Sequence, residues 1–337
     1  MAWIPFVLTS SQILSSTGVR IAFMADVHLD LRSGTADKSN SSACCAFQSL
    51  ILKRVIPPIL LMEAVCDIKG NIVAFVMFAF ESKTWKPNSI YLANMAMADL
   101  LVLFFMPFRA DYYKRGQHWI FRDVFCRILL CLVSASRAAS IFFLTAVAVD
   151  CYLKIMHPLH RLNRMNLNYA MWVCAGLWAL VIIFTIDLLG FPNFFNVGNH
   201  IESFNICLDN SPLYIWQNTF YVIQFCVPGS IIVFCTACIT WQLKTKTMDT
   251  TGKIERAVQF IYIVAVAFFF CFFPSTASRV AIWILNIWYH DSSFYSEANI
   301  VFYISLCFTY FNSVLNPLIY YFFSPAYSGT LLYWDNF

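Results

Sequence analysis

Glu255 to Trp288 read ERAVQFIYIVAVAFFFCFFPSTASRVAIWILNIW, and beyond Arg256 the one Lys, Arg, Asp or Glu among them is Arg279. A run of that length and composition predicts a helix crossing a bilayer. Roughly 20 apolar residues span the hydrocarbon core, and a helix pairs its backbone groups internally where lipid cannot. Working outward, six more such segments stand at 54–80, 89–112, 123–153, 169–190, 213–243 and 296–322. Polar breaks such as Glu81-Ser-Lys-Thr and Asp291-Ser-Ser separate them. The whole chain agrees: 60% of its 337 residues are hydrophobic and only 12% charged, outside the range of a water-soluble domain. The expected fold is an all-α membrane protein, a seven-transmembrane helix bundle.

An odd number of spans puts the termini on opposite sides, and Lys and Arg mark the cytoplasmic side. With the amino terminus extracellular, the cytoplasmic loops carry Lys83, Lys86, Lys154, Arg161, Arg164, Lys244, Lys246, Lys253 and Arg256, and the second and third outer loops carry none. Lys114, Arg115, Arg122 and Arg127, in or beside the first outer loop, run against this bias. Asn40-Ser41-Ser42 is a glycosylation sequon, useful only on the lumenal side.

Residues 1–50 are expected to form an extracellular tail, 51–325 the transmembrane domain and 326–337 a short cytoplasmic tail. Arg32 to Ser42 has the small, polar composition of a disordered segment. The first 15 residues are apolar but lack the basic start and cleavage site of a signal peptide. Of 13 cysteines, only Cys44, Cys45, Cys126 and Cys207 lie where an oxidising compartment would reach them. No Cys/His pair has zinc-site spacing, so no structural metal is expected. The net charge of +4 comes from basic residues at membrane edges, which excludes a nucleic-acid face and leaves membrane lipids as neighbours. There is no repeat or polar line of a transporter or channel, and no nucleophile with its base, so neither transport nor enzymatic activity is expected.

Particular polar residues sit at depths where each is costly. Span one holds Gly70-Asn71, span two Asn94 to Leu100 (NMAMADL), span four Trp178, span five Pro228 and span six Cys271-Phe-Phe-Pro274. Span seven ends in Asn316-Pro-Leu-Ile-Tyr320, and Cys126 stands at the outer end of span three. This ordered set, one signature per helix, resembles the rhodopsin-like G-protein-coupled receptors over about residues 50–325. Five further segments resemble the hydroxycarboxylic acid receptors and the oxo-eicosanoid receptors. They are Lys83-Thr-Trp-Lys-Pro87, Pro107-Phe-Arg-Ala-Asp-Tyr-Tyr113, Ser136-Arg-Ala-Ala-Ser140, Phe308-Thr-Tyr-Phe-Asn-Ser313 and Phe323-Ser-Pro325.

Arg137 lies 11 residues inward of Cys126, roughly 16 Å along a helix. A guanidinium at that depth needs an anion, and its planar fork fits a carboxylate. The resemblance implies a ligand carboxylate anchored there; a structural pair with Asp67 or Asp187 is the alternative. Arg109 and Arg279 either join that pocket or snorkel to lipid headgroups. Tyr310 matches a family position lining the same pocket, the alternative being an ordinary buried tyrosine. Asp99 requires polar partners or a cation. The resemblance implies a sodium site completed by Ser140, Asn312 and Asn316, with sodium as an allosteric ligand and no other cofactor; a structural network is the competing account. Pro274 and Pro317 permit helix bends, and Phe272 stands where many relatives carry Trp. The resemblance also assigns Tyr320 and the Asp150-Cys151-Tyr152 segment to switching and coupling.

The sequence departs from its family in four places. The inner end of span three normally reads Asp-Arg-Tyr, and here Cys151 replaces the arginine with a thiol that has neither its charge nor its donors. Lys154, one turn below, is a partial substitute without the planar fork. In the second outer loop the first of two family cysteines is replaced by Ile201, so Cys207 pairs with Cys126, Cys44 or Cys45. Ser292 takes the place of a third-loop cysteine. Asp67 and Lys69 interrupt a stretch the family keeps apolar. The expected function is a plasma-membrane receptor for a small or lipid-derived carboxylic acid, acting through a heterotrimeric G protein of the inhibitory type. The alternative is a signalling-impaired decoy or decaying copy.

Overall fold

The computed structural model describes residues 50–80, 87–157, 167–190, 194–197, 200–203, 212–245, 253–288 and 292–323. Asn40, Cys44, Cys45, Cys207 and both expected tails lie outside these described residues, apart from Leu50. For Pro317 and Tyr320 only the helical backbone position is described.

Among the described residues the helices are α1 (Leu50–Phe80), α2 (Pro87–Leu103), α3 (Met106–Lys114), α4 (Asp123–Met156), α5 (Leu167–Thr185), α6 (Asp187–Gly190), α7 (Pro212–Thr245), α8 (Lys253–Trp288) and α9 (Ser292–Phe323). They form a seven-helix bundle in which two of the expected spans are broken. The α2–α3 pair bends by 43° between Leu103 and Met106. Pro107 causes this, because its ring would meet the carbonyl of Leu103 in a straight helix and it brings no N–H to the ladder. The turn is closed instead by Phe105 N donating to Val102 O at 2.8 Å. The second break is at Ile186, where α5 passes into the single turn of α6.

α4, α5, α7, α8 and α9 each contain a stretch long and apolar enough to cross a membrane, and the bent α2–α3 pair is a sixth. α1 is the seventh helix of the bundle, and its apolar run is interrupted by Glu63, Asp67 and Lys69. The bundle closes as a ring: α1 packs on α2, α3 and α9, α9 on α8, α8 on α7, and α7 on α4. α4 also touches α2, α5, α6, α8 and α9, which makes it the central post. Trp172, Phe104 and Trp241 are 77%, 69% and 66% exposed on the outside, as expected where the outer solvent is lipid.

Trp178 Nε1 donates to Asn94 Oδ1 at 3.0 Å and Asn94 Nδ2 donates to the Ile90 carbonyl at 2.8 Å, which fixes α5 against α2. At Gly229 a Cβ would stand 3.2 Å from Phe268 Cε1, so α7 and α8 approach closely because that residue lacks a side chain. A short antiparallel hairpin, β1 (Phe194–Val197) with β2 (His200–Ser203), adds to the all-α reading; it pairs Phe194 with Ser203 and Val197 with His200.

Candidate functional site

A cavity of about 160 Å³ opens among α3, α4, α5, α6, α7, α8 and α9, and Arg109, Arg137, Arg279 and Tyr310 all line it. Arg137 reaches it from the middle of α4 and is buried. Its Nη1 donates to Gln224 Oε1 and its Nη2 to Thr276 Oγ1, each at 3.2 Å. The guanidinium carbon lies 3.7 Å from the centroid of the Tyr221 ring and 5.9 Å from that of Phe272. Among the described residues the ion pairs are Arg115–Asp111, Arg127–Asp123 and Lys154–Asp150. Arg137 therefore pairs with neither Asp67 nor Asp187. Asp187 does line the cavity, but it accepts from Leu188 N at 3.0 Å and Gln217 Nε2 at 3.4 Å.

Arg109 and Arg279 turn inward and do not snorkel; both are buried. Arg279 Nε donates to Asn218 Oδ1 at 2.7 Å, with its guanidinium carbon 5.8 Å from the Tyr221 centroid. Arg109 Nη2 is 3.5 Å from the Tyr113 hydroxyl, and its guanidinium carbon stands 5.4 Å from the Tyr310 ring. α3 packs chiefly on α1, and from it the Arg109 side chain reaches Tyr310 of α9. Tyr310 lines the cavity, and its hydroxyl is buried without a hydrogen-bond partner.

Tyr221, Gln224, Asn218 and Thr276 were missed by the sequence reading. A signal was present: Gln217, Asn218, Tyr221 and Gln224 recur at one-turn spacing in an otherwise apolar helix, which puts them on one face.

A second polar group surrounds Asp99, which is 1% exposed. Asn316 Nδ2 donates to its Oδ2 at 2.6 Å and Ser136 Oγ to its Oδ1 at 3.1 Å, while the Ser140 and Ser313 hydroxyls address the same carboxylate. Asn312 is buried in α9, and neither its amide nitrogen nor its oxygen has a partner; Asn316 Oδ1 and Asn71 Oδ1 are likewise unpartnered. No three His, Cys, Asp or Glu side chains converge here among the described residues. The oxygens there are those of the Asp99 carboxylate, amides and hydroxyls, and Asp67 is close enough to Asp99 to interact with it electrostatically.

Asp67 is accounted for by the side chain of Asn71 one turn on, which donates to its Oδ1. Lys69 is exposed on the other side of α1, so the two do not neutralise each other. Glu63, one turn before Asp67, was also missed; it is 5% exposed and its Oε2 has no hydrogen-bond partner.

At the other end of α4, Asp150 pairs with Lys154, which is thereby engaged one turn away from the missing guanidinium. Cys151 is buried in the main core, and Tyr152 packs against Phe234 and His157 at centroid distances of 5.7 and 5.8 Å. Phe272 is fully buried beneath Arg137 and against Phe268 at 5.4 Å. Above it, Pro274 sits inside α8, where the Ser275 and Thr276 hydroxyls both return to the Phe272 carbonyl. Cys126 is buried beside Trp119 and Leu129, and its expected disulfide involves residues outside the described ones.

The sequence pattern of the 7 transmembrane receptor (rhodopsin family) matches residues 70–320, which includes the polar positions from Asn71 to Tyr320. Hydroxycarboxylic acid receptor 2 of Homo sapiens is 38% identical over 295 residues, covering 86% of this chain and 79% of that protein. Hydroxycarboxylic acid receptor 1 of Homo sapiens is 37% identical, covering 85% and 82%. Oxoeicosanoid receptor 1 of Homo sapiens is 30% identical, covering 87% and 75%. The chain is thus a multi-pass membrane receptor, not an enzyme, and it belongs to the rhodopsin family of seven-transmembrane receptors, close to the hydroxycarboxylic acid and oxoeicosanoid receptors.

Proposed function

We propose that this chain is a plasma-membrane receptor for a small carboxylic acid, with Arg137 as the anchor of the carboxylate and Arg109, Arg279 and Tyr310 around it. One observation carries the reading: Arg137 is a buried guanidinium facing a cavity, and only neutral groups bond to it. An unpaired buried charge is expensive, and a carboxylate accepting two N–H bonds from its fork is the natural complement. The relatives' names, which speak of hydroxycarboxylic acids and eicosanoids, support an acid ligand. A cavity of about 160 Å³ is below the roughly 300–1,000 Å³ of drug-sized sites, which favours a short acid over a long lipid chain.

The amino terminus lies outside the cell, and the Asp150 end of α4 faces a heterotrimeric G protein of the inhibitory type. Sodium at Asp99, Ser140, Asn312 and Asn316 acts as an allosteric ligand, supported by the unpartnered amide atoms there. Cys151 favours a second reading, a receptor that binds its acid but signals poorly, because its thiol is buried where the family arginine engages the G protein. Ligand-evoked G-protein activation in cells, with surface expression verified, tests both on the native chain and Arg137→Ala. A response to short acids that Arg137→Ala abolishes supports the receptor reading. Silence from a surface-expressed native chain supports the signalling-impaired one.

A further inference from the structure

We propose that the ligand carries two anionic groups, one met by Arg137 and Arg279 about the Tyr221 ring and the other by Arg109 beside Tyr310. This rests on the reading of the cavity as a carboxylate site and narrows its ligand to a short dicarboxylate.

Charge gives the first argument. The cavity is lined by three arginines, Arg109, Arg137 and Arg279, against one acid, Asp187, a net charge of +2. Asp187 is engaged by Leu188 N and Gln217, so none of the three guanidiniums has a carboxylate within pairing distance among the described residues. A monocarboxylate would leave one of these charges uncompensated in a buried site, whereas a dianion matches the balance.

Unused donors stand at both ends of the cavity. At one end the Arg137 Nε and the Tyr221 hydroxyl are buried without partners, with the ring 3.7 Å from the guanidinium carbon; Arg279 approaches the same ring at 5.8 Å. At the other end the Arg109 Nε and the Tyr310 hydroxyl are buried without partners, with ring and guanidinium 5.4 Å apart. The first end thus offers two guanidiniums and an O–H donor and the second one guanidinium and an O–H donor, each a set that one carboxylate with its two acceptor oxygens can use. Two such ends in one small cavity call for two carboxylates joined by a spacer of a few carbons.

Purified native chain, folded in detergent at about pH 7 where all these acids are ionised, is titrated in a thermal-shift assay at constant ionic strength. The probes are succinate and glutarate, compared with butyrate and valerate of the same chain lengths. The better dicarboxylate is expected to half-saturate at a concentration about tenfold or more below its monocarboxylate. Arg109→Gln is expected to weaken the dicarboxylate about tenfold more than it weakens the monocarboxylate. Equal half-saturation of mono- and dicarboxylate by the native chain, or an equal loss of both in Arg109→Gln, overturns the two-anion proposal. Butyrate or valerate binding that depends on Arg137 then still supports the carboxylate reading. Stabilisation by none of the four acids overturns that reading and this proposal together.

Discussion

The Arg137 guanidinium carbon sits 3.7 Å from the centroid of the Tyr221 ring, so a residue of α7 presents the face of its π-system to the charge that α4 buries. The electron-rich ring face stabilises the cation while leaving the edge of the fork for an acceptor. This contact holds the anchor in place when no anion is there.

Removing the ring should therefore weaken ligand binding through the anchor. Tyr221→Leu is expected to lower short-acid affinity by about 1–2 kcal/mol, the scale of a desolvated cation–π contact. Tyr221→Phe keeps the ring, loses the unpartnered hydroxyl, and should cost about 1 kcal/mol. Thermal-shift titrations of the two variants give both numbers, and Leu must be the worse of the two.

Glu63 presents a buried oxygen without a hydrogen-bond partner in the middle of α1. Replacing an unsatisfied buried polar group with an apolar one of similar length removes its desolvation cost. Glu63→Leu is expected to stabilise the detergent-solubilised protein by about 1–3 kcal/mol, measured by thermal unfolding. Asp67→Leu should gain less or lose stability, because it strips Asn71 of its partner.

Sodium coupling is the next test. Asp99 takes hydrogen bonds from Asn316 and Ser136, with Asp67 close enough to interact with it electrostatically. Sodium is expected to shift ligand affinity of the native chain by about fivefold or more, within the usual range of allosteric coupling. Asp99→Asn should abolish the shift in a binding titration with choline as the substitute cation.

Cys151 bears on coupling without touching the cavity. Asp150 pairs with Lys154, the lysine one turn beyond Cys151. Cys151→Arg is expected to raise ligand-evoked nucleotide exchange on an inhibitory-type G protein severalfold, with ligand affinity unchanged. A gain in exchange supports the lost arginine as the cause of weak signalling; no gain in a well-expressed variant places the defect elsewhere.

Much of the bundle was legible because lipid imposes a simple rule: long apolar runs become helices, and costly polar residues inside them mark function. Arg137, Arg109 and Arg279 stand out on that rule and Tyr310 by family resemblance, and all four line one cavity. Asp99 and Asn316 were chosen together and are hydrogen-bonded. What was hidden depends on how the helices pack. Apolar residues cover both the lipid-facing and core-facing sides of each helix, so hydrophobic periodicity scarcely tells which side of α1 faces the core. Gln224 and Thr276 acquire their role only because α7 and α8 each come against α4 at the depth of Arg137. The bend before Pro107 interrupts a span expected to run unbroken over 89–112, and what Arg109 meets there depends on the position of Tyr310 in α9.

Equilibrium binding of a labelled short acid to purified native chain and to Arg137→Gln decides whether Arg137 anchors a carboxylate. Loss of a buried charge partner typically costs 2–5 kcal/mol, so binding should weaken by about 30-fold or more in Arg137→Gln. Specific binding of the same acid with unchanged affinity in a folded Arg137→Gln protein would contradict the account.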